Sequence, residues 1–587
     1  MNRRGRVTLL AAAGLLGAGL FAARHQLMAR ALGLRPPQYA VRLERNLPIV
    51  MPDGVTLYAD HFAPVGAGSF PTILIRSPYG RPSEAGLLGF APTLAARLFA
   101  ERGYHVIYQG TRGRYRSEGH FEPFSHEASD GHATLAWIAE QPWFEGNVGM
   151  WGLSYLGYTQ WAVAADAPPF LKALVPVITT SRFGAAFNSG GSFAYETALR
   201  WASLVQSTAN PGADLDLQVL RRTLDPRLER RLHEAWATQP FAEADRHAVG
   251  APIPFFQQWL NEPDPDGYYW RQVDHHRRMN HVSAAVHLVA AWYDIFLSEQ
   301  LDDYTDLLAA GQSPCLTVLP AHHTENSVLL AAIREGLWWF DAHLKGQREL
   351  LKRRAVRLAL MGSNEWHEMD FWPPPANHQR LFLHAGGGLS EQPPAYTQPS
   401  FYCCDPGDPT PSIGGPVLSS FAGPCDQRPL ERRKDLLIFT TEPLEHDLDV
   451  IGYVRLELFA QANLRHYDLV ARLCQVDAHG RSINVCEGLL RVEPDLDEQQ
   501  PDGSRLFELT LNPTAQRFRA GQRLRLHICS AAHPRWSVNS GDGRLLHEGA
   551  PVGLRLEQNI FHDPNHPSAL ILPVVSPETR RAMAGER

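Results

Sequence analysis

The residue with the clearest chemical potential is Ser154, in the segment Asn147-Val-Gly-Met-Trp-Gly-Leu-Ser-Tyr-Leu-Gly157. A short apolar run leads into it and a helix is expected to begin near Gly157, so the serine falls on a sharp strand-to-helix turn. Such a turn pushes the hydroxyl out at the end of a sheet, and it needs small neighbours because the backbones pack closely there. Gly152 supplies one, two residues before Ser154. Two residues after it stands Leu156, with the glycine one place later, so the generic Gly-x-Ser-x-Gly pattern is not met. A serine hydroxyl is a weak nucleophile until an oriented base takes its proton, which calls for a later carboxylate and then a histidine, in the order Ser, Asp, His. Asp294, in Ala291-Trp-Tyr-Asp-Ile-Phe296, and His323, just after a run ending near Leu319, are available for those places.

The elements that would hold these residues alternate. Strand-like runs Thr72 to Ser77 and His105 to Gln109 bracket a helical stretch, Ala91 to Arg102, and a second helical run, Glu127 to Glu140, leads into the serine segment. The pattern returns with a strand over Ala285 to Ala291, a helix over Ser298 to Ala310 and a strand over Cys315 to Leu319. Strands alternating with helices imply a parallel sheet covered on both faces, with ligands gathering at the C-terminal strand ends. Between about Phe183 and Gln257 the chain is helical and interrupted by Pro211, Pro226 and Pro240, the texture of a cap inserted into a sheet domain. Beyond about Arg354 short alternating runs take over: Val356 to Met361, Gln379 to His384, Val454 to Phe459, Tyr467 to Cys474 and Arg523 to Cys529. They read as an all-β sandwich or jelly-roll.

With these motifs in place, the sequence resembles the cocaine esterase and Xaa-Pro dipeptidyl-peptidase family of serine hydrolases. Gly152-x-Ser-Tyr-x-Gly157 is similar to that family's own serine turn, which accounts for the displaced glycine. Further similar segments are Met51-Pro-Asp-Gly-Val55, Arg76-Ser-Pro-Tyr-Gly80, Thr111-Arg-Gly, Ser117-Glu-Gly, Gln141-Pro-Trp, Pro263 to Trp270, Trp292-Tyr-Asp294, and Asp405 onward into Asp426-Gln-Arg-Pro-Leu-Glu431. The resemblance implies an α/β-hydrolase fold with an inserted helical cap and a C-terminal jelly-roll. The implied division is a leader over 1–35, core over 36–182 and 271–353, cap over 183–270 and β-sandwich over 354–575. It also implies roles: Ser154 attacks, His323 is base and then acid, Asp294 holds the imidazole, and the oxyanion meets the Tyr155 backbone N–H and the Tyr79 hydroxyl. Three positions depart from the family. Leu319-Pro-Ala-His-His323 leaves His322 as a rival base, Gly110 replaces an Asp before Arg112, and Ala291 replaces a glycine before Trp292. Asp302 and Asp303 rival Asp294 but fall in the expected helix, where they would be solvated. The implied activity is hydrolysis of an ester, acyl amide or short peptide without cofactor or metal. The alternatives are an Xaa-Pro dipeptidyl-peptidase and an inert surface protein that binds through its β-sandwich.

Composition limits the other classes. The 587-residue chain is long enough for several cores, and 44% hydrophobic with 20% charged residues is globular. A net charge of −7 without a long basic run disfavours nucleic acid as a partner. Of the seven cysteines none has CxxC spacing, and they read as buried thiols or an occasional disulfide. The adjacent pairs His275-His276 and His322-His323 lack a carboxylate-rich ligand set and point to no metal. Tyr268, Tyr269 and Trp270 either line an acyl pocket or anchor the cap. At the N-terminus, Arg3, Arg4 and Arg6 precede an apolar stretch from Val7 to Ala23, which reads as a signal peptide or membrane anchor. The body of the protein is therefore expected to be exported, periplasmic or extracellular, with possible membrane attachment through residues 7–23.

Overall fold

The computed structural model describes residues 26, 29–84, 90–207, 226–238, 240–494, 500–548 and 553–584. The apolar run from Val7 to Ala23, and Pro211 of the cap, lie outside the described residues. Among the described residues no helix is long and apolar enough to cross a membrane.

A ten-stranded sheet forms the first layer system: β1 (Ala40–Val50), β2 (Thr56–Val65), β3 (Thr72–Ser77), β4 (His105–Gly110), β5 (Val148–Leu153), β6 (Leu171–Val177), β7 (Ala285–Tyr293), β8 (Cys315–His322), β9 (Val356–Leu360) and β10 (Glu365–Met369). The spatial order is β1-β2-β4-β3-β5-β6-β7-β8-β9-β10. From β4 to β9 neighbouring strands run parallel, and β1, β2 and β10 close the edges antiparallel. The central strands are apolar on both sides, as a sheet covered on two faces requires. Alternate residues serve opposite cores: Leu74, Ile107, Met150, Leu174 and Leu288 pack in one, and Ile73, Val106, Val175 and Val289 in the other. The first core is covered by helices Glu127–Ala139, Tyr155–Ala164 and Leu297–Ala309. The second is covered by Phe90–Ala100 and Asn326–His343.

The run Val356 to Met361, expected to open the all-β module, departs from that reading. Val356–Leu360 pairs in parallel with β8, and Glu365–Met369 adds a last strand to the same sheet. An alternating five-residue run fits either sheet, and only its partner decides. The all-β domain then begins at Asn377–His384 and forms a thirteen-stranded system that ends with Ala569–Val574. Met361 joins the two domains, its N–H donating to the Ala515 carbonyl and its carbonyl accepting from Arg517. All seven cysteines are free thiols.

The cap helices include Phe183–Phe187, Tyr195–Ser207, Pro226–Trp236 and Pro254–Leu260. They close on an aromatic core that contains Phe183, Phe187, Trp201, Phe256, Trp259 and Trp270. Tyr269 and Trp270 are buried there, the Trp259 indole donating to the Tyr269 hydroxyl at 3.0 Å and the Trp270 indole to the Glu262 carbonyl at 2.7 Å, whereas Tyr268 is exposed. The two buried rings therefore anchor the cap.

Asp303 corrects a second expectation. Asp302 is half-exposed beside Arg182, but Asp303 is fully buried and accepts from the Ser181 N–H at 2.9 Å and hydroxyl at 2.6 Å. Burial pushes its carboxyl up to about 8, against the pull of the two Ser181 hydrogen bonds. A carboxyl that holds its proton more tightly folded than unfolded, where it titrates near 3.8, stabilises the fold fully at low pH. That contribution is lost as pH rises toward about 8. We predict that Asp303→Asn removes this slope, at most about 1.4 kcal/mol per pH unit. Denaturant unfolding from pH 4 to 9 should show the variant gaining on the wild type up to about pH 8 and level beyond it. Parallel curves would contradict the assignment.

Candidate active site

Four of the residues singled out by the sequence follow the C-terminal ends of neighbouring strands: Tyr79 after β3, Ser154 after β5, Asp294 after β7 and His323 after β8. Parallel strands bring their C-terminal ends to one edge, so residues far apart in sequence meet there.

Ser154 has φ 56° and ψ −124°, a conformation that non-glycine residues rarely adopt. Its N–H donates to the Val177 carbonyl at 2.9 Å, and its carbonyl accepts from Gly157 at 2.8 Å, so the turn is held from both sides. Close packing explains the displaced glycine. A Cβ at residue 152 would lie 2.3 Å from the Leu156 Cβ, and one at residue 157 would lie 2.3 Å from the Thr179 Cγ2. A side chain is accepted at 156 because its opposing residue is Gly152; the next tight approach, against Thr179, falls on 157.

His323 Nε2 lies 3.1 Å from the Ser154 hydroxyl, and Nδ1 lies 2.6 Å from Asp294 Oδ2. This arrangement assigns the Nδ1–H to the carboxylate and leaves Nε2 to accept from the serine. Asp294 is buried, and its other oxygen accepts from the Phe296 N–H at 2.9 Å, which fixes the carboxylate plane. The Phe296 ring meets the His323 ring edge to face at 5.6 Å. His322 points elsewhere, its Nδ1 lying 3.2 Å from the Thr324 hydroxyl.

Tyr155 follows the serine and opens the helix Tyr155–Ala164, where an N–H has no intrahelical acceptor. Its phenol is buried, accepts from the Phe124 N–H at 2.9 Å and donates to Glu127 at 2.9 Å. Those bonds lock the backbone of the turn. Tyr79 accepts a 2.9 Å hydrogen bond from the Trp201 indole. Burial raises its pKa, while bonds with Trp201 and Ser154 draw it back, so the phenol stays protonated at neutral pH and can donate.

The remaining sequence motifs hold the surroundings. Arg112 clamps Asp130 through two bonds of 2.7 and 3.0 Å and reaches Asp53 at 2.6 Å, tying the Met51-Pro-Asp segment to the Thr111-Arg-Gly loop. The aspartate absent at Gly110 would meet the Ser117 hydroxyl, which lies 3.1 Å from an added Cβ and already donates to the Gly110 carbonyl. His275 contacts the Tyr158 hydroxyl at 3.1 Å and His276 contacts Asp274. Among the described residues no group of three or more His, Cys, Asp or Glu is arranged around a common metal position.

Ser154 and His323 open onto a cavity of about 530 Å³. Its walls include Phe183, Phe187, Trp201, Leu204, Phe296 and Leu418, and none of its described lining residues is Asp or Glu. Leu418 comes from the C-terminal domain, and its N–H is held by Glu196 of the cap at 2.9 Å. Neither Trp201 nor Leu418 stands out in the sequence: one is a tryptophan among fourteen, and the other lies in a loop remote from every triad candidate.

A strained serine turn at the edge of a parallel sheet, facing a histidine and a buried carboxylate, defines the class as a serine hydrolase. Residues 53–325 match the X-Pro dipeptidyl-peptidase (S15 family) model, and residues 352–571 match that of the X-Pro dipeptidyl-peptidase C-terminal non-catalytic domain. A cocaine esterase from Rhodococcus sp. (strain MB1 Bresler) is 30% identical over 574 residues, spanning 90% of this chain and 98% of that protein. The chain belongs to this cocaine esterase and X-Pro dipeptidyl-peptidase (S15) family of serine hydrolases. The fold is shared with a selenomethionine-labelled α-amino acid ester hydrolase, with a TM-score of 0.76, 22% identity, and 92% of this chain and 97% of that chain covered. It is shared equally with an aminopeptidase from a marine sediment archaeon, Thaumarchaeota archaeon, with a TM-score of 0.75, 21% identity and the same 92% and 97% coverage.

The geometry predicts unequal roles for the adjacent histidines. His323→Ala should lower kcat by several orders of magnitude, close to the loss from Ser154→Ala, because members of such a chain act as a unit. His322→Ala should lower it by less than about ten-fold, since its ring reaches neither Ser154 nor Asp294. Asp294→Asn should cost about 10⁴-fold by fixing the wrong tautomer. A larger loss at His322 than at His323 in steady-state assays would reassign the base.

Proposed function

We propose that this chain hydrolyses carboxylic esters, and acyl amides as a second class, whose acyl group is neutral and apolar, through an acyl-enzyme on Ser154. The observation that carries the reading is the hydrogen-bonded chain Ser154, His323, Asp294, which opens onto an apolar cavity of about 530 Å³. In the proposed sequence His323 Nε2 takes the Ser154 proton as Oγ attacks the carbonyl carbon. The charge that develops on the carbonyl oxygen is met by the Tyr155 N–H and the Tyr79 hydroxyl. The tetrahedral species collapses, the alcohol or amine leaves with the proton from His323, and water repeats the sequence to free the acid. Asp294 holds the imidazole and stabilises its cation throughout.

The cavity walls favour this reading over a dipeptidyl-peptidase. An α-ammonium group buried in such a pocket needs a carboxylate partner. The one charged side chain among the described lining residues with a formal charge at neutral pH is Arg200, already paired with Glu196 at 2.6 Å and Glu229 at 2.5 Å. The C-terminal β-rich domain, which we read as a jelly-roll, serves the pocket by supplying Leu418. For location, the run from Val7 to Ala23 after three arginines supports export of the body of the protein.

A fluorophosphonate probe should label Ser154 with one-to-one stoichiometry, and Ser154→Ala should abolish the labelling. In a panel of chromogenic substrates, aryl and medium-chain acyl esters should exceed free-amino Xaa-Pro amides by at least about 100-fold in kcat/KM, the penalty of an unpaired buried charge. Preference for the Xaa-Pro amides would establish the peptidase instead, and labelling that survives Ser154→Ala would remove the serine from the mechanism.

A further inference from the structure

The Tyr79 hydroxyl sits between the cap and the cavity that Ser154 lines, and the chemistry of its cap-side partner decides where its single hydrogen goes. The Trp201 indole N–H lies 2.9 Å from the phenol oxygen, and on its other side Tyr79 lines the cavity onto which Ser154 also opens. An indole nitrogen can only donate, so in this pair Tyr79 can only accept. One lone pair of the phenol oxygen is thereby occupied from the cap side, and its hydrogen is left free to be donated into the cavity it shares with Ser154.

Trp201 is held so that this bond persists. Its ring stacks on Tyr155 at 6.0 Å and 8° and on Trp259 at 5.8 Å and 25°, with little of the side chain exposed. The helix that carries it, Tyr195–Ser207, is gripped one turn further on. Arg114 donates to the Val205 carbonyl at 3.1 Å and to the Pro78 carbonyl at 2.8 Å, so one guanidinium spans the residue before Tyr79 and the residue four after Trp201. Two separate links therefore fix the same pair of segments.

We propose that Trp201 is a positioning residue for the oxyanion donor: its N–H turns the Tyr79 hydrogen toward the developing oxyanion, which makes the cap helix part of the oxyanion hole. A second consequence is polarisation. A phenol that accepts a hydrogen bond becomes a stronger donor, since bonds in a chain reinforce one another. The inference rests on the assignment of Ser154 and Tyr79 above. It separates two properties of Trp201, a wall that substrate touches and a dipole that substrate does not touch.

The test removes the dipole and keeps the wall. Replacing Trp201 with 3-benzothienylalanine exchanges the N–H for sulfur at nearly constant shape, and Trp201→Phe is the encoded counterpart. Both should lower kcat by about 3- to 30-fold, less than loss of a direct donor, with KM within about three-fold. In a Tyr79→Phe background, itself slower by about ten- to a thousand-fold, the same replacements should change kcat by less than about two-fold, because the bond they remove is already gone. Thermal melting and final fluorophosphonate stoichiometry check that the fold and the nucleophile survive, and the isostere stands where the phenylalanine fails to fold. An isostere with wild-type kcat overturns the proposal, as does a change confined to KM or a loss that persists in the Tyr79→Phe background. Tyr79→Phe with unchanged turnover would instead overturn the oxyanion assignment on which it rests.

Discussion

The backbone at Ser154 is the constraint from which most of the site follows. A non-glycine residue at φ 56° is strained by about 1–3 kcal/mol, and it persists only where its surroundings over-determine it. Here they do so in three ways: the Val177 carbonyl takes the Ser154 N–H, Gly152 and Gly157 leave no room for relaxation, and the Tyr155 phenol is fixed between Phe124 and Glu127. The strained turn projects the hydroxyl beyond the sheet, where His323 can reach it. The same turn begins the helix at Tyr155, whose N–H has no intrahelical acceptor and serves the proposed mechanism as an oxyanion donor. In the proposed mechanism, nucleophile and one oxyanion donor thus come from a single local geometry.

The other contributions are long-range. Asp294 and His323 arrive because β7 and β8 lie beyond β5 and β6 in the sheet, so chain order and spatial order coincide on that side. Tyr79 arrives from β3 on the opposite flank of β5. The cap and the C-terminal domain then close the space above. Glu196 of the cap holds Leu418, and Thr324, next to His323, donates to the Ser419 carbonyl at 3.1 Å. The pocket wall is thus continuous across elements more than two hundred residues apart, and neither domain alone would complete it.

Much of the sheet was legible in the sequence because its signals are local. Thr72–Ser77 and the strands before Asp294 and His323 are apolar runs bounded by helical stretches; the structure places the first at its expected bounds and extends the other two at their C-terminal ends, to Tyr293 and His322. The candidate residues share that advantage, since strand ends in a parallel sheet converge by rule. Partner choice was not legible. Val356–Leu360 has the alternation of a β-module strand yet pairs with β8, and nothing within five residues could distinguish the two sheets. Asp303, the seventh residue of the helix Leu297–Ala309 and next to Asp302, reads as solvated until Ser181 is brought against it by β6. Trp201 and Leu418 were invisible for the same reason, as their importance lies in what they touch.

The proposed hydrolysis requires that acyl transfer pass through Ser154. Rapid acid quench of the enzyme during turnover of an aryl ester, followed by peptide mapping by mass spectrometry, tests it directly. The acyl group should be found on the peptide containing Ser154 and should disappear as the acid is released. Turnover with that peptide unmodified, or the acyl group on another residue, would contradict it.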